Sequence, residues 1–313
     1  MAGFSLPDFP GIDGEVLREI SRRHGFDLQT ASPLPEVGIF NRIYPLGDDL
    51  VLRVPRDHPA FVAAARKESV AVPAAREVGV RTPRMVSFDD TGDLLPVPYS
   101  IYERVHGDTL GLLDLDPADA PDVWKELGRD LAHLHAGVPE DGPAAGLELE
   151  AMPDPRPWPE EIAAEGYFSS TEIRWFSAWL DRPAPAALAP VRRRFLHDDS
   201  QATNVMVGAG TLEYLAVLDW GGSGWGDPAW DFAGVPLRVV PSMLEGYREV
   251  VPSGDHETVE ARILWRHLQI GLYLLRRDPQ PGRSWAERPL GMLVDVTRFL
   301  LGDPGREWTM WTP

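Results

Sequence analysis

The chain has no cysteine, so disulfides, thiolate nucleophiles and cysteine-ligated metals are excluded, and a reducing compartment suits it. No apolar run approaches about 18 residues, so no membrane-spanning helix is expected. The stretch from Met1 to Ile20 has no basic segment leading into an apolar core, so no signal peptide is expected and the protein is expected to be cytoplasmic. Positive charge is scarce: 30 Lys and Arg stand against 48 Asp and Glu, a formal net charge of −18. Nucleic acid, whose binding needs clustered cations, is not an expected partner. The same surplus suits a cationic small molecule, which an acidic cleft attracts, and equally suits a merely well-solvated surface. The rest is ordinary globular composition, 43% hydrophobic over 313 residues, enough for one large domain or two lobes.

Most of the interpretable chemistry lies between Phe195 and Gly234. Phe195 and Leu196 lead into His197-Asp198-Asp199, and Asn204 follows with four residues between it and Asp199. Val205-Met206-Val207 reads as a strand, Gly208 and Gly210 as its turn, and a second apolar run from Tyr214 to Leu218 ends on Asp219. This pattern brings Asp199, Asn204 and Asp219 to the mouth of one hairpin. Singly, these are the residues that β-turns use. Together they form a set of carboxylate and amide oxygens suited to Mg²⁺, which keeps several waters for a bound phosphate. An acid beside such an ion can take the proton of an attacking hydroxyl. The implied reaction is phosphoryl transfer to an alcohol, with Asp199 as base and Asn204 and Asp219 as metal ligands.

The stretch resembles the aminoglycoside phosphotransferase family of small-molecule kinases, relatives of choline, homoserine and macrolide kinases. That family carries H-G-D-x-x-x-x-N, an apolar strand ending I-D-W, and G-D-P-x-x-D. Here stand His197-Asp198-Asp199 with Asn204, Leu218-Asp219-Trp220, and Gly226-Asp227-Pro228 with Asp231. Asp198 replaces the usual Gly, and Gln201 stands where His is common. Asp198 adds a second carboxylate beside the base and leaves open which of the two faces the substrate; the spacing to Asn204 favours Asp199. The resemblance implies an α+β, two-lobed, protein-kinase-like fold. Its small N-terminal lobe, residues 1–103, has an antiparallel sheet and one helix, and its larger, mostly helical lobe spans residues 104–313. It also implies ATP or GTP as phosphoryl donor. His197 would organise the catalytic loop, Asp231 would accept backbone N–H groups from it, and Asp227 would cap the helix after Pro228.

Upstream, Asp13 to Gly25 reads as a short amphipathic helix with an acid start and a Gly stop. Glu36 to Pro55 reads as a hairpin: Val37, Ile39 and Ile43 on one strand, a turn at Gly47-Asp48-Asp49, and Leu50 to Val54 on the other. Arg53 occupies the place of the kinase strand lysine beneath the nucleotide phosphates, a planar fork in place of a point charge. No G-x-G-x-x-G covers the phosphates; only Gly38 sits in that region. Phe61 to Val78 reads as a helix interrupted by Pro73, with Glu68 placed to hold Arg53. Lys67 just before it and Glu77 beyond the proline are the alternatives. Val80 to Pro83 resembles the family's V-P-x-P lead into the next strand. Strands are expected at Met85–Phe88 and Tyr99–Val105, with a turn at Asp90-Thr91-Gly92. By the same resemblance, Glu103 and Val105 would offer their backbones to the nucleotide base.

Val123 to Ala136 has apolar residues at helical spacing. His133 and His135, two apart, face different sides and make no metal pair, and His135 reads as a satisfied core residue. In the Pro- and acid-rich stretch from Gly137 to Ala189, Glu160, Glu161, Glu165 and Asp181 are candidates for holding ammonium groups, with Trp158 as an aromatic platform. A solvated acidic loop is the alternative. Helices at Met243–Val251, Glu260–Arg277 and Leu290–Leu301 would pack behind the site, with Glu245, Glu249, Asp255 or Glu257 reaching the acceptor pocket. Two functions fit. One is an O-kinase acting on a hydroxylated acceptor: an aminoglycoside, macrolide, amino alcohol or sugar. The other is a catalytically weak, kinase-like binding protein, suggested by Asp198, Gln201 and Arg53.

Overall fold

The structure, a computed structural model, describes residues 6–26, 33–34, 40–252, 258–277 and 290–313. Helix α1 (Gly14–His24) begins where the Asp13 carboxylate accepts the N–H groups of Glu15 and Val16, both at 2.9 Å, and stops at Gly25, whose φ of +75° only glycine adopts freely. Strands β1 (Asn41–Leu46) and β2 (Leu50–Pro55) form the expected hairpin, with Ile43 opposite Arg53. The expected strand residues Val37 and Ile39, with Gly38, lie outside the described residues. Helix α2 (Pro59–Glu77) follows, then β3 (Met85–Asp89) and β4 (Tyr99–Glu103). The sheet order is β1-β2-β4-β3, antiparallel throughout.

The period of two along β2 decides where its cation goes. Leu52 and Val54 point into a small core with Leu17 and Ile20 of α1, Tyr44, Tyr99 and Ile101. Arg53 therefore projects from the opposite face. This lobe holds α1 in addition to the one helix that the family resemblance implies. Helix α2 runs unbroken through Pro73, where an interruption was expected. The proline removes one intrahelical bond, to Ser69, but the buried stripe Ala65, Glu68, Ala71, Val72 and Ala75 continues across it. Packing outweighs the lost bond.

Ala71, Val72, Ala75, Val80 and Tyr102 belong to the larger core, shared with the second half of the chain. There β5 (Asp108–Thr109) leads into α3 (Pro121–Gly137), α4 (Trp158–Ala164), α5 (Ser170–Asp181) and the short α6 (Ala184–Ala187). Four short strands then frame the chemistry: β6 (Arg194–Leu196) pairs with β9 (Gly224–Gly226), and β7 (Val205–Val207) with β8 (Tyr214–Val217) and β5. Helices α7 (Val240–Val250), α8 (Val259–Leu275), α9 (Gly291–Leu301) and α10 (Arg306–Thr309) close the back. Among the described residues no helix is long and apolar enough to cross a membrane.

The connection from α2 to β3 is tied to the large core. Asp130 of α3, 3% exposed, accepts the Arg81 backbone N–H at 3.0 Å, the Arg81 guanidinium, and the Tyr214 hydroxyl at 3.0 Å. Arg81 also stacks on the Tyr214 ring, 4.4 Å from its centroid. Removing the carboxylate takes the acceptor from the Arg81 backbone N–H and the Tyr214 hydroxyl and leaves the guanidinium to Glu126 alone. Asp130→Ala is therefore expected to lower unfolding stability by about 2–4 kcal/mol, read from urea midpoints, whereas exposed Glu140→Ala leaves the midpoint unmoved.

Candidate functional site

Three expected residues meet in one ion cluster. The Arg53 guanidinium donates to Glu68 Oε1 at 2.7 Å and to Asp219 Oδ1 at 2.8 Å, linking β2, α2 and the end of β8. Glu68, 4% exposed, also accepts the Trp220 backbone N–H at 3.1 Å and the Tyr102 hydroxyl at 3.3 Å. Glu68 is thus the acid that holds the strand cation. Lys67 instead reaches the carbonyl of Gly222 at 3.4 Å, and Glu77 is exposed. One guanidinium faces two carboxylates, so the titrations divide. Burial pushes Glu68 up against the pull of Arg53. Burial also works to raise Asp219, but the charge and hydrogen bond of Arg53 outweigh it and hold that carboxyl below the ordinary range.

The loop from His197 to Asn204 is fixed through its backbone. Asp231, 1% exposed, accepts the N–H of His197 at 3.0 Å and of Asp198 at 2.6 Å, the bonds expected of it. Asp227 accepts the Ala229 N–H at 3.1 Å and caps the 3₁₀ turn Pro228–Phe232. It is itself gripped by Arg262 at 2.7 Å and Arg266 at 3.1 Å. The tautomer of His197 follows from its partners. The Asp199 N–H donates to Nδ1 at 3.2 Å, so Nε2 carries the proton and donates to the Leu218 carbonyl at 2.9 Å. The ring is fully buried, edge-on to Trp220, and burial lowers its proton affinity, so it holds the loop as a neutral group.

Asp199 and Asn204 are in direct contact. The Asn204 amide nitrogen donates to the Asp199 carbonyl at 2.8 Å and to its Oδ2 at 2.7 Å, while Gln201 donates to Oδ1 at 2.8 Å. With its nitrogen so engaged, Asn204 keeps Oδ1 for a cation. That oxygen and the Asp219 carboxylate are hard donors of the kind Mg²⁺ takes, with its remaining positions going to water and phosphate. Asp219 lies in the left-handed region, with φ +68° and ψ +73°.

Asp198 lies there too, with φ +66°. That conformation explains why glycine is usual at this position, and Asp is among the few side chains that tolerate it. Its carboxyl opens to solvent, yet surrounding protein, with Asp231 and Asp199 nearby, pushes it up to about 8.

At the expected boundary between the lobes, the Glu103 N–H bonds to the Arg84 carbonyl at 2.9 Å, and β4 ends at Glu103, short of the expected Val105. The Arg104 N–H turns to the Asp49 carbonyl at 2.7 Å, which takes the chain out of the strand.

Several acceptor-side expectations do not hold. Trp158 is no open platform: it is 4% exposed, with Arg276 over its ring at 5.3 Å and Tyr273 beside it. Glu161 pairs with Arg276 at 3.2 Å. Glu245 and Glu249 pair with Lys125 of α3, and Glu249 also with Arg129, which commits them to the α3–α7 seam. Asp255 and Glu257 lie outside the described residues.

Sequence reading also missed what His135 does. It is a satisfied core residue, as expected, but its Nε2 meets Asp231 at 2.8 Å and its Nδ1 meets the Tyr247 hydroxyl at 3.1 Å. It braces the residue that holds the loop. Only its buried place in α3 hinted at this.

A model of the phosphotransferase enzyme family matches residues 34–259, well over half of the chain. The chain belongs to the phosphotransferase enzyme family. No curated protein matches it. Solved phosphotransferases share its fold at low identity. The GDP complex of an aminoglycoside 2'-phosphotransferase-IIIa aligns at TM-score 0.62 and 16% identity, covering 91% of this chain and 98% of its own. Macrolide 2'-phosphotransferase MphH from Brachybacterium faecium aligns at 0.59 and 21%, covering 96% and 97%. A spectinomycin phosphotransferase bound to ADP and spectinomycin aligns at 0.57 and 16%, covering 96% and 98%. The expected two-lobed, kinase-like architecture is thus present in this phosphotransferase.

Two outcomes follow for the loop. Asp198→Gly is expected to leave stability within about 0.5 kcal/mol, whereas Asp198→Val costs about 2 kcal/mol, because a β-branched residue resists positive φ; thermal unfolding of both variants tests this. His267 donates to the Phe232 carbonyl at 2.8 Å behind Asp231, and burial pushes it down to about 4. Its folded pKa lies below the unfolded value near 6.5, so the unfolded chain binds the proton first as pH falls. The stability present above pH 6.5 is lost toward pH 4, by up to about 3 kcal/mol. Urea unfolding across this window is expected to flatten in His267→Gln.

Proposed function

We propose that the protein transfers the γ-phosphate of ATP or GTP to a hydroxyl of a small molecule. The observation that carries this reading is Asp199, hydrogen-bonded to the metal-ligand candidate Asn204 in a loop anchored by Asp231, with Arg53 bound to Asp219 across the cleft. In this reading Asp199 accepts the proton of the attacking hydroxyl while Asn204 Oδ1 and Asp219 hold Mg²⁺. When bound, the ion neutralises charge on the terminal phosphates. Arg53 supplies a fork of donors to phosphate oxygens, and Glu68 keeps that fork aimed. His197 and Asp231 act on the loop's shape, which matters because phosphoryl transfer depends chiefly on positioning. The Glu103 carbonyl and the Val105 N–H receive the nucleotide base; the Glu103 N–H is already committed to Arg84. GDP and ADP in the solved relatives support a nucleotide donor.

An aminoglycoside-type antibiotic is the first acceptor to test, given the family and the −18 charge. Macrolides, amino alcohols and sugars form the rest of the panel. Mg²⁺-dependent nucleotide consumption is expected with at least one of them, and Asp199→Asn is expected to reduce kcat by about 10²–10⁴-fold. An Asp199→Asn protein as active as wild type would remove Asp199 from the role of base. Drug-by-drug resistance of expressing cells then separates an antibiotic acceptor from a metabolic one.

A further inference from the structure

We propose that Gln201 is a positioning residue for Asp199, forming with Asn204 a two-amide clamp that fixes the plane of the carboxylate. The proposal rests on the reading of Asp199 as the base and extends it to a residue that the family pattern does not supply. Gln201 Nε2 donates to Oδ1 at 2.8 Å, and Asn204 Nδ2 donates to Oδ2 at 2.7 Å. An ionised carboxylate has only lone pairs to offer, so in both amides the nitrogen faces Asp199 and the oxygen faces away.

Local backbone geometry brings the two amides to the same acid. Gln201 is extended, with φ −66° and ψ +158°, and begins the 3₁₀ turn Ala202–Asn204. The Asn204 N–H closes that turn on the Gln201 carbonyl at 2.8 Å. The loop thus folds back on itself, and the side chains at its two ends flank Asp199 from either side. Their duties differ. Asn204 also bonds the Asp199 carbonyl and is the proposed metal ligand. Gln201 contributes to the clamp alone, so changing it probes orientation of the base without removing a metal ligand. Rotation about the terminal torsion of Asp has a broad, shallow profile. The amide on Oδ2 and the amide on Oδ1 act on opposite ends of that torsion, so each restrains it.

Two variants test the donor. Gln201→Met keeps length and volume but cannot donate; Gln201→His restores an N–H. Turnover is measured with MgATP and MgGTP, using water as acceptor and then the hydroxylated panel. Gln201→Met is expected to lower kcat by about 10–100-fold, with nucleotide KM within about twofold of wild type and Tm within about 2 °C. Gln201→His is expected to recover most of the loss. A Met variant with wild-type kcat overturns the proposal, as does a raised nucleotide KM at unchanged kcat, or a His variant no better than Met. A crystal structure of Gln201→Met reads the clamp without turnover: a rotated or split Asp199 carboxylate is expected, and an unmoved one overturns the proposal. If wild type binds nucleotide but matches Asp199→Asn in rate, the base assignment fails, and the crystal structure still decides the clamp.

Discussion

Arg53 is the charge on which the site depends. Its guanidinium touches both the helix acid Glu68 and the strand-end acid Asp219. Its position is set by the alternation of β2, which spends Leu52 and Val54 on the small core and so turns Arg53 to the other face. Without its cation, two carboxylates would share one buried neighbourhood. Breaking a buried pair by removing one partner costs about 3–5 kcal/mol, a large share of a typical domain's stability. The cluster is therefore a joint between the sheet, helix α2 and the end of β8. Helix α2 can serve it because its apolar stripe is buried in the larger core, so Glu68 is presented from that side.

The catalytic loop stands on a second constraint. Asp198 and Asp219 both hold left-handed backbone, which costs about 1–2 kcal/mol per residue for most side chains and less for Asp, whose short polar side chain tolerates it. Asp231 returns two backbone hydrogen bonds to a charged acceptor, each worth about 1.5–3 kcal/mol. The hydrogen bonds win. His135 and Tyr247 extend the anchor into α3 and α7, so loop shape is set by groups outside the loop itself. The neutral His197 completes it, one ring nitrogen accepting from the Asp199 amide and the other donating to Leu218.

What the sequence made legible was local. Asp13 and Gly25 marked the ends of α1, alternation marked the β1–β2 hairpin, and the fixed spacing of Asp199, Asn204 and Asp219 marked the loop and its strand. Failures came where the decisive partner is remote. Pro73 reads as a break in any window of α2, and only the buried face across it keeps the helix whole. Trp158 reads as a platform until Arg276 and Tyr273 cover it. Glu245 and Glu249 read as acids reaching an acceptor pocket until α3 brings Lys125 and Arg129 to them. His135 lies 96 positions from Asp231 along the chain, and no local pattern announces that contact.

The three departures from the family motif have a common explanation. Arg53 in place of lysine still bonds both acids, and its fork reaches them at once. Asp198 in place of glycine still adopts positive φ, because its short polar side chain tolerates that region. Gln201 in place of histidine still presents an N–H to Asp199. In each case the physical requirement survives while the residue changes: a cation of sufficient reach, a backbone that turns left-handed, a donor at one oxygen. Substitutions that preserve those requirements do not argue for a silent binding protein. They place this chain's individuality in three side chains of the candidate site, and leave its physical requirements intact.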